Sequence, residues 1–105
     1  MTKEVLDLKI SYKNYSFSMK ALSDETRVKI FEMISHNELC ACEILEEFNI
    51  TQPTLSYHMK TLCESGLVRS RKDGSMTKYS VNKESLKCLR KYIDTLDENL
   101  NTTKL

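Results

Sequence analysis

The residues that break regular structure are confined to one stretch of the chain. Its single proline and both glycines are Pro53, Gly66 and Gly74. The segments on either side are free to form long regular elements, and a mostly helical class is predicted. Pro53 follows Thr51 by two residues. Thr51 is a good N-cap, and proline is tolerated in the first helical turn because amide protons there have no helical partner. A helix is predicted from there to about Ser65, with Gly66 as its C-terminal stop. Gly74 follows Asp73 between two strand-like runs, Leu67 to Lys72 and Ser75 to Val81. Asp-Gly in that setting predicts a hairpin with a type I′ turn, positive in φ at both central residues.

Apolar spacing supplies the rest. Residues 1–10 alternate charged and aliphatic side chains (Val5, Leu6, Leu8, Ile10) and read as a short helix or an arm. A helix over 12–22 follows, with Tyr15, Phe17, Met19 and Leu22 partly apolar. Ser23 is expected to cap the next one, with Asp24 and Glu25 in its first turn. There Val28, Phe31 and Ile34 recur every third residue, flanked by Ile30 and Met33, until a stop near His36-Asn37. A third helix covers Cys40 to Phe48, with Ala41, Ile44, Leu45 and Phe48 facing in. Asn49-Ile50 links it to the Thr51-capped helix, whose apolar stripe is Leu55, Met59 and Leu62. After the hairpin, Asn82 can cap a last helix carrying Leu86, Leu89, Ile93, Leu96 and Leu100 on one side. That stripe exceeds what a small domain needs for itself and predicts half of a dimer interface. The tail after Asn99 is expected to fray.

Two short helices with a tight connector, the second capped and polar outside, form a helix-turn-helix pattern, and a basic hairpin directly after it is a wing. The expected architecture is a winged helix-turn-helix: mostly α with a small β-hairpin, dimeric through its terminal helices. It is one domain over 1–105, with an arm at 1–11, the helix-turn-helix at 40–65, the wing at 67–81 and a dimerisation helix at 83–99.

On the capped helix, Pro53, Thr54, Tyr57, Lys60 and Thr61 lie opposite the apolar stripe, with Gln52 and Ser56 near its edges. Hydroxyls, an amide and a phenol can reach base edges, and Lys60 suits phosphate. Gln52, Thr54, Ser56, Tyr57 and Lys60 are therefore the candidate DNA-reading residues. Arg71 and Lys72 on the wing are the candidate phosphate contacts, joined by Arg69 and Lys78. His58 lies nearer the apolar side and reads as packed. A homodimer would offer two such helices to neighbouring major grooves, so the double-stranded operator DNA is expected to be an imperfect palindrome.

Net charge is only +1, but it is unevenly spread. From His58 to Lys91 nine Lys or Arg stand against three Asp or Glu, whereas Glu38 to Asn49 holds four Glu and no Lys or Arg. Such a basic segment fits a surface that meets phosphate, and also fits a solvated charged face. No apolar run resembles a signal peptide or is long enough to span a membrane, so a cytoplasmic location without a membrane partner is expected. There, four cysteines are more readily thiols or metal ligands than a disulfide framework.

Cys40-Ala41-Cys42 is too sparse for a closed zinc site. Two thiolates suit a soft ion such as As(III), Sb(III), Cd(II) or Pb(II). Residues two apart on an ideal helix point about 200° away from each other, so both sulfurs reach one ion only if the helix start is unwound. Ion binding would then disturb the third helix and the DNA-reading helix it supports. Cys63 and Cys88 read as small buried apolar residues. A third ligand would be one of them, a water or a small thiol. Oxidation of the pair is the rival signal, opposed by the small strained ring that Cys-x-Cys closes. A thiol enzyme would need a Gly-rich anion cradle after a cysteine, and none follows. A plain metal buffer would leave the wing and the polar helix without a use.

The chain resembles the ArsR/SmtB family of winged-helix metal-sensing repressors over about residues 18–90. The resemblance rests on Ala21-Leu22-Ser23-Asp24-Glu25-Thr26-Arg27, on Glu38-Leu39-Cys40-Ala41-Cys42-Glu43, on Gln52 to Lys60, on Gly66-Leu67-Val68 and on Arg71-Lys72-Asp73-Gly74. The Glu-Leu-Cys-x-Cys-acid element is its specific part and points to the arsenic-responsive branch. That implies a repressor of an arsenical-resistance operon, requiring no cofactor and leaving its operator when As(III) or Sb(III) binds Cys40 and Cys42. The family's frequent third cysteine falls at position 45, which is Leu45. No cysteine precedes Cys40, where the cadmium/lead branch has them. The zinc-branch positions on the last helix are Lys83 with Ser85 and Leu96 with Asn99, which lack that site. The usual histidine after the recognition-helix serine is Tyr57.

Overall fold

Each helix after the first begins on a side chain that accepts one of its free amide protons. In the computed structural model, which describes residues 3–102 and the side chains of residues 12–101, the elements are α1 (Lys3–Ala21), α2 (Glu25–His36), β1 (Leu39–Cys40), α3 (Ala41–Leu45), α4 (Gln52–Glu64), β2 (Val68–Asp73), β3 (Met76–Val81) and α5 (Lys83–Thr102). Asp24, not Ser23, caps α2. Its carboxylate accepts the Arg27 amide at 3.1 Å, while the Ser23 hydroxyl donates back to the Lys20 carbonyl. Cys40 caps α3 and Thr51 caps α4. At α5 the Asn82 amide oxygen accepts the Ser85 amide, and its Nδ2 donates to the Gly66 carbonyl at 3.0 Å.

Three strands form an antiparallel sheet in the order β1-β3-β2. The hairpin register sets Asp73 opposite Met76, so the loop is Gly74-Ser75. Gly74 has φ of 67° and no non-glycine residue has positive φ. The expected type I′ turn centred on Asp73-Gly74 is therefore displaced by one residue, with positive φ only at its first central position, as type II′ requires. Asp73 stays in the ladder, where its carboxylate meets Lys78 Nζ at 3.1 Å. Strand β1, not foreseen from the sequence, adds Leu39 opposite Tyr79 and Cys40 opposite Lys78.

Ile30 and Ile34 of α2, Ile44 of α3, Leu55, Met59 and Leu62 of α4, and Leu67 and Val68 make the core with Ala21. The apolar stripe of α2 is rotated from expectation: Val28 is 46% exposed and Arg27 only 9%. The third helix is shorter than expected, ending at Leu45, with turn and bend residues over 46–50 before Thr51. Helix α1 is continuous through the positions expected as an arm. The expectations for Val5, Leu6, Leu8 and Ile10 concern side chains outside the described ones. Helix α5 continues to Thr102, three residues past the expected bound, and the rest of the tail lies outside the described residues. The radius of gyration is 16.4 Å, against about 13 Å for a compact chain of this length. Leu86, Ile93 and Leu96 of α5 are exposed, and only Leu89 of its stripe is buried in this chain.

Candidate metalloid site and nucleic-acid interface

Cys40 stands where the wing sheet ends and α3 begins. Its backbone is extended (φ −82°, ψ 162°) because it is the N-cap. Its Sγ accepts the Glu43 amide at 3.4 Å, and the Glu43 carboxylate accepts the Cys40 amide at 2.8 Å. This reciprocal capping box satisfies two amides at once. Cys42 lies one turn-step into the helix, and the two cysteines are joined as a disulfide with Cα atoms 5.4 Å apart. That separation is within the ordinary range for bridged cysteines. One expectation is corrected here: the helix starts after Cys40, so the sulfurs meet without unwinding it. Cys40 is buried and Cys42 exposed.

Opened to two thiols, the pair would offer one ion two soft donors. Among the described residues no group of three or more His, Cys, Asp or Glu is arranged to hold a metal ion. Neither remaining cysteine supplies a third donor: Cys63 is half-buried on α4, and Cys88 on α5 is exposed instead of buried as expected. Burial pushes the Cys63 thiol up, with a partial offset from Ser70. A trivalent ion held here would complete its shell from outside the described residues of this chain.

Helix α4 is held from behind. Arg27 donates from Nε to the Ala21 carbonyl at 2.7 Å and from Nη1 to His58 Nδ1 at 3.0 Å. A guanidinium has no acceptor, so Nδ1 is unprotonated there. His58 is thus packed, as its position in the stripe implies. The opposite side of α4 presents Gln52, Thr54, Ser56, Tyr57 and Lys60, all exposed. Thr54 Oγ1 accepts from Thr51 Oγ1 at 2.9 Å, and the Thr61 hydroxyl donates back along the helix to the Tyr57 carbonyl.

The wing bases are engaged within the protein. Arg71 donates two hydrogen bonds to Glu38, at 2.8 and 2.7 Å, and Lys72 donates to the Thr77 hydroxyl at 3.0 Å. Arg69 reaches Asn82 and Lys78 reaches Asp73. The Arg71 guanidinium holds the Glu38 carboxyl below the usual carboxylate range, and Lys78 does the same for Asp73. Phosphate would have to compete with Glu38 for Arg71, whereas Lys60 is exposed and the partner of Lys72 among the described residues is a neutral hydroxyl. Counting charge along the segment could not reveal Glu38, which lies 33 positions from Arg71.

A capped helix with polar outer residues, supported by a second helix and followed by a basic hairpin, defines a winged helix-turn-helix, a fold of DNA-binding regulators. A crystal structure of an ArsR family transcriptional regulator superposes with a TM-score of 0.81 at 21% identity, covering 88% of this chain and 95% of that one. Residues 24–70 match the bacterial regulatory protein, arsR family. The arsenical resistance operon repressor of Staphylococcus xylosus is 43% identical over 88 residues, 84% of this chain and 85% of that protein. That of Staphylococcus aureus is 45% identical over 92 residues, 88% and 82% of the two chains. The chain belongs to the ArsR family.

Proposed function

We propose that this protein is an arsenical-responsive repressor. As a homodimer it binds an imperfect palindromic operator, and it is released when the dithiol form of Cys40 and Cys42 binds As(III) or Sb(III). The observation that carries this reading is the position of Cys40, which is at once the last residue of β1 in the wing sheet and the N-cap of α3. Sulfur lone pairs given to an ion are withdrawn from the Glu43 amide, and the capping box loosens. α3 packs against α4, and β1 pairs with β3, so both DNA-facing elements border the pair. Gln52, Thr54, Ser56 and Tyr57 read bases, Lys60 and Lys72 hold phosphate, and Arg71 joins them when it leaves Glu38. The exposed Leu86, Ile93 and Leu96 face the partner subunit. The names of the two staphylococcal relatives agree with the signal.

A second reading is favoured by the Cys40–Cys42 disulfide: oxidation of the pair is itself the signal. One experiment separates the two. DNA selected by the protein from a random pool is titrated with arsenite, then with peroxide, on wild type and Cys42→Ser. Release by arsenite of wild type alone supports the metalloid reading. Release of both proteins alike by arsenite refutes it, and release by peroxide without a response to arsenite favours oxidation.

A further inference from the structure

We propose that the dithiol site takes a trivalent arsenic already bearing one carbon substituent, and that a cavity beside Cys42 seats that substituent. This rests on the thiol-sensing reading above and names the ligand class within it. Trivalent arsenic makes three bonds. The pair supplies two, and the residue one turn beyond Cys42 on the same side of α3 is Leu45, which has no donor. A monoorganyl arsenic(III), R–As(OH)₂, needs only two thiols. Two As–S bonds form and two As–O bonds break. The two thiol protons leave with the two hydroxyls as water, and arsenic keeps its oxidation state and its As–C bond.

The carbon group then needs a seat with apolar walls, and a partly apolar cavity adjoins the pair. A cavity of about 120 Å³ lies between α3, α4 and β3, with Cys42 in its wall beside Leu45, Leu55 and Met59. An engineered apolar cavity of about 150 Å³ accommodates benzene, so this smaller one fits a methyl group and leaves little room for a phenyl ring. Ala41 and Tyr79 also line it, with Gln52 and Ser56 of α4. Those two α4 residues are among the ones proposed to read bases. A substituent entering here presses directly on the recognition helix, whereas inorganic arsenite leaves the cavity empty of carbon.

The test uses the full chain, kept as dithiol by a phosphine reductant, bound to its selected DNA. Arsenite, methylarsonous acid and phenylarsonous acid are compared by the concentration that releases half the DNA, each referred to its affinity for a free small dithiol. An apolar group filling a pocket changes affinity by about tenfold or more, so at least one organyl arsenical should act at about a tenth of the arsenite concentration or less. Leu45→Cys, which adds a third thiol and removes part of the apolar wall, should lower the arsenite concentration at least as much without improving either organyl compound. If both organyl compounds are no better than arsenite on wild type, the cavity has no such role, even though Cys42→Ser abolishes the arsenite response. If Cys42→Ser still responds to all three, the thiol reading itself fails. Circular dichroism of each variant confirms folding, and the wild-type comparison decides the matter without them.

Discussion

Replacing Arg27 by methionine keeps the buried aliphatic stem and removes the guanidinium. Two acceptors lose their donor: the Ala21 carbonyl at 2.7 Å and His58 Nδ1 at 3.0 Å. Ala21 is the last residue of α1, so its carbonyl has no helical partner and Arg27 is its cap. A hydrogen bond from a charged donor contributes about 1.5–3 kcal/mol, and an acceptor left buried and unpaired costs a similar amount. Arg27 is only partly desolvated at its tip, so we take the low end for each bond and expect a loss of about 3 kcal/mol. Total stability for a chain of this size is roughly 5–15 kcal/mol. A loss of 3 would lower the thermal midpoint by on the order of 10–20 °C. Arg27→Lys has one nitrogen and cannot serve both acceptors, so it should recover about half at most. Urea unfolding followed by far-UV circular dichroism, at fixed protomer concentration, measures this. A midpoint shift equivalent to less than about 1 kcal/mol for Arg27→Met would refute the assignment of Arg27 as the clasp between α1, α2 and α4.

Three further outcomes are expected. Cys40→Ser preserves an acceptor at the α3 cap and should be more stable than Cys40→Ala by about 1 kcal/mol, read from urea midpoints; equal stabilities would show that the cap contributes nothing. The Asp24 carboxyl is held low chiefly by the Arg27 amide, so its contribution is present above the ordinary carboxylate range and is lost as pH falls through its depressed value. Asp24→Asn keeps the cap without the charge, so the small advantage of wild type at neutral pH should shrink on acidification, and an advantage that grows would contradict this. Lys60→Ala in a dimer removes two phosphate contacts, so the slope of log affinity against log salt should flatten by about two, and an unchanged slope would remove Lys60 from the interface.

Much of this architecture was legible because its signals were local. Thr51, Pro53 and Gly66 bound α4 where they were expected to. The polar residues of α4 are exposed and its Leu55, Met59 and Leu62 buried, because a single helix period governs both sides. What escaped the sequence depends on contacts between distant residues. Strand β1 is two residues long and exists through pairing with β3. Glu38 meets Arg71 only because β1 and β2 flank the same strand. The role of Arg27 rests on its contacts with Ala21 and His58, although its spacing to Ile30 and Ile34 puts it in phase with the buried positions of α2. The start of α3 was misjudged by one residue, since cysteine is not a common cap and its backbone role shows only once Glu43 closes the box. That one residue changes the chemistry, because an extended Cys40 brings its sulfur to Cys42.

The central claim is that filling the thiol pair and gripping DNA oppose each other through one piece of scaffold. Such coupling is reciprocal, so the factor by which arsenite weakens DNA binding must equal the factor by which DNA weakens arsenite binding. Arsenite affinity of the dithiol protein should therefore be measured free and saturated with its selected DNA. The account requires a lower affinity on DNA, by the same ratio seen in the release titration. Equal arsenite affinity in the two states would contradict it.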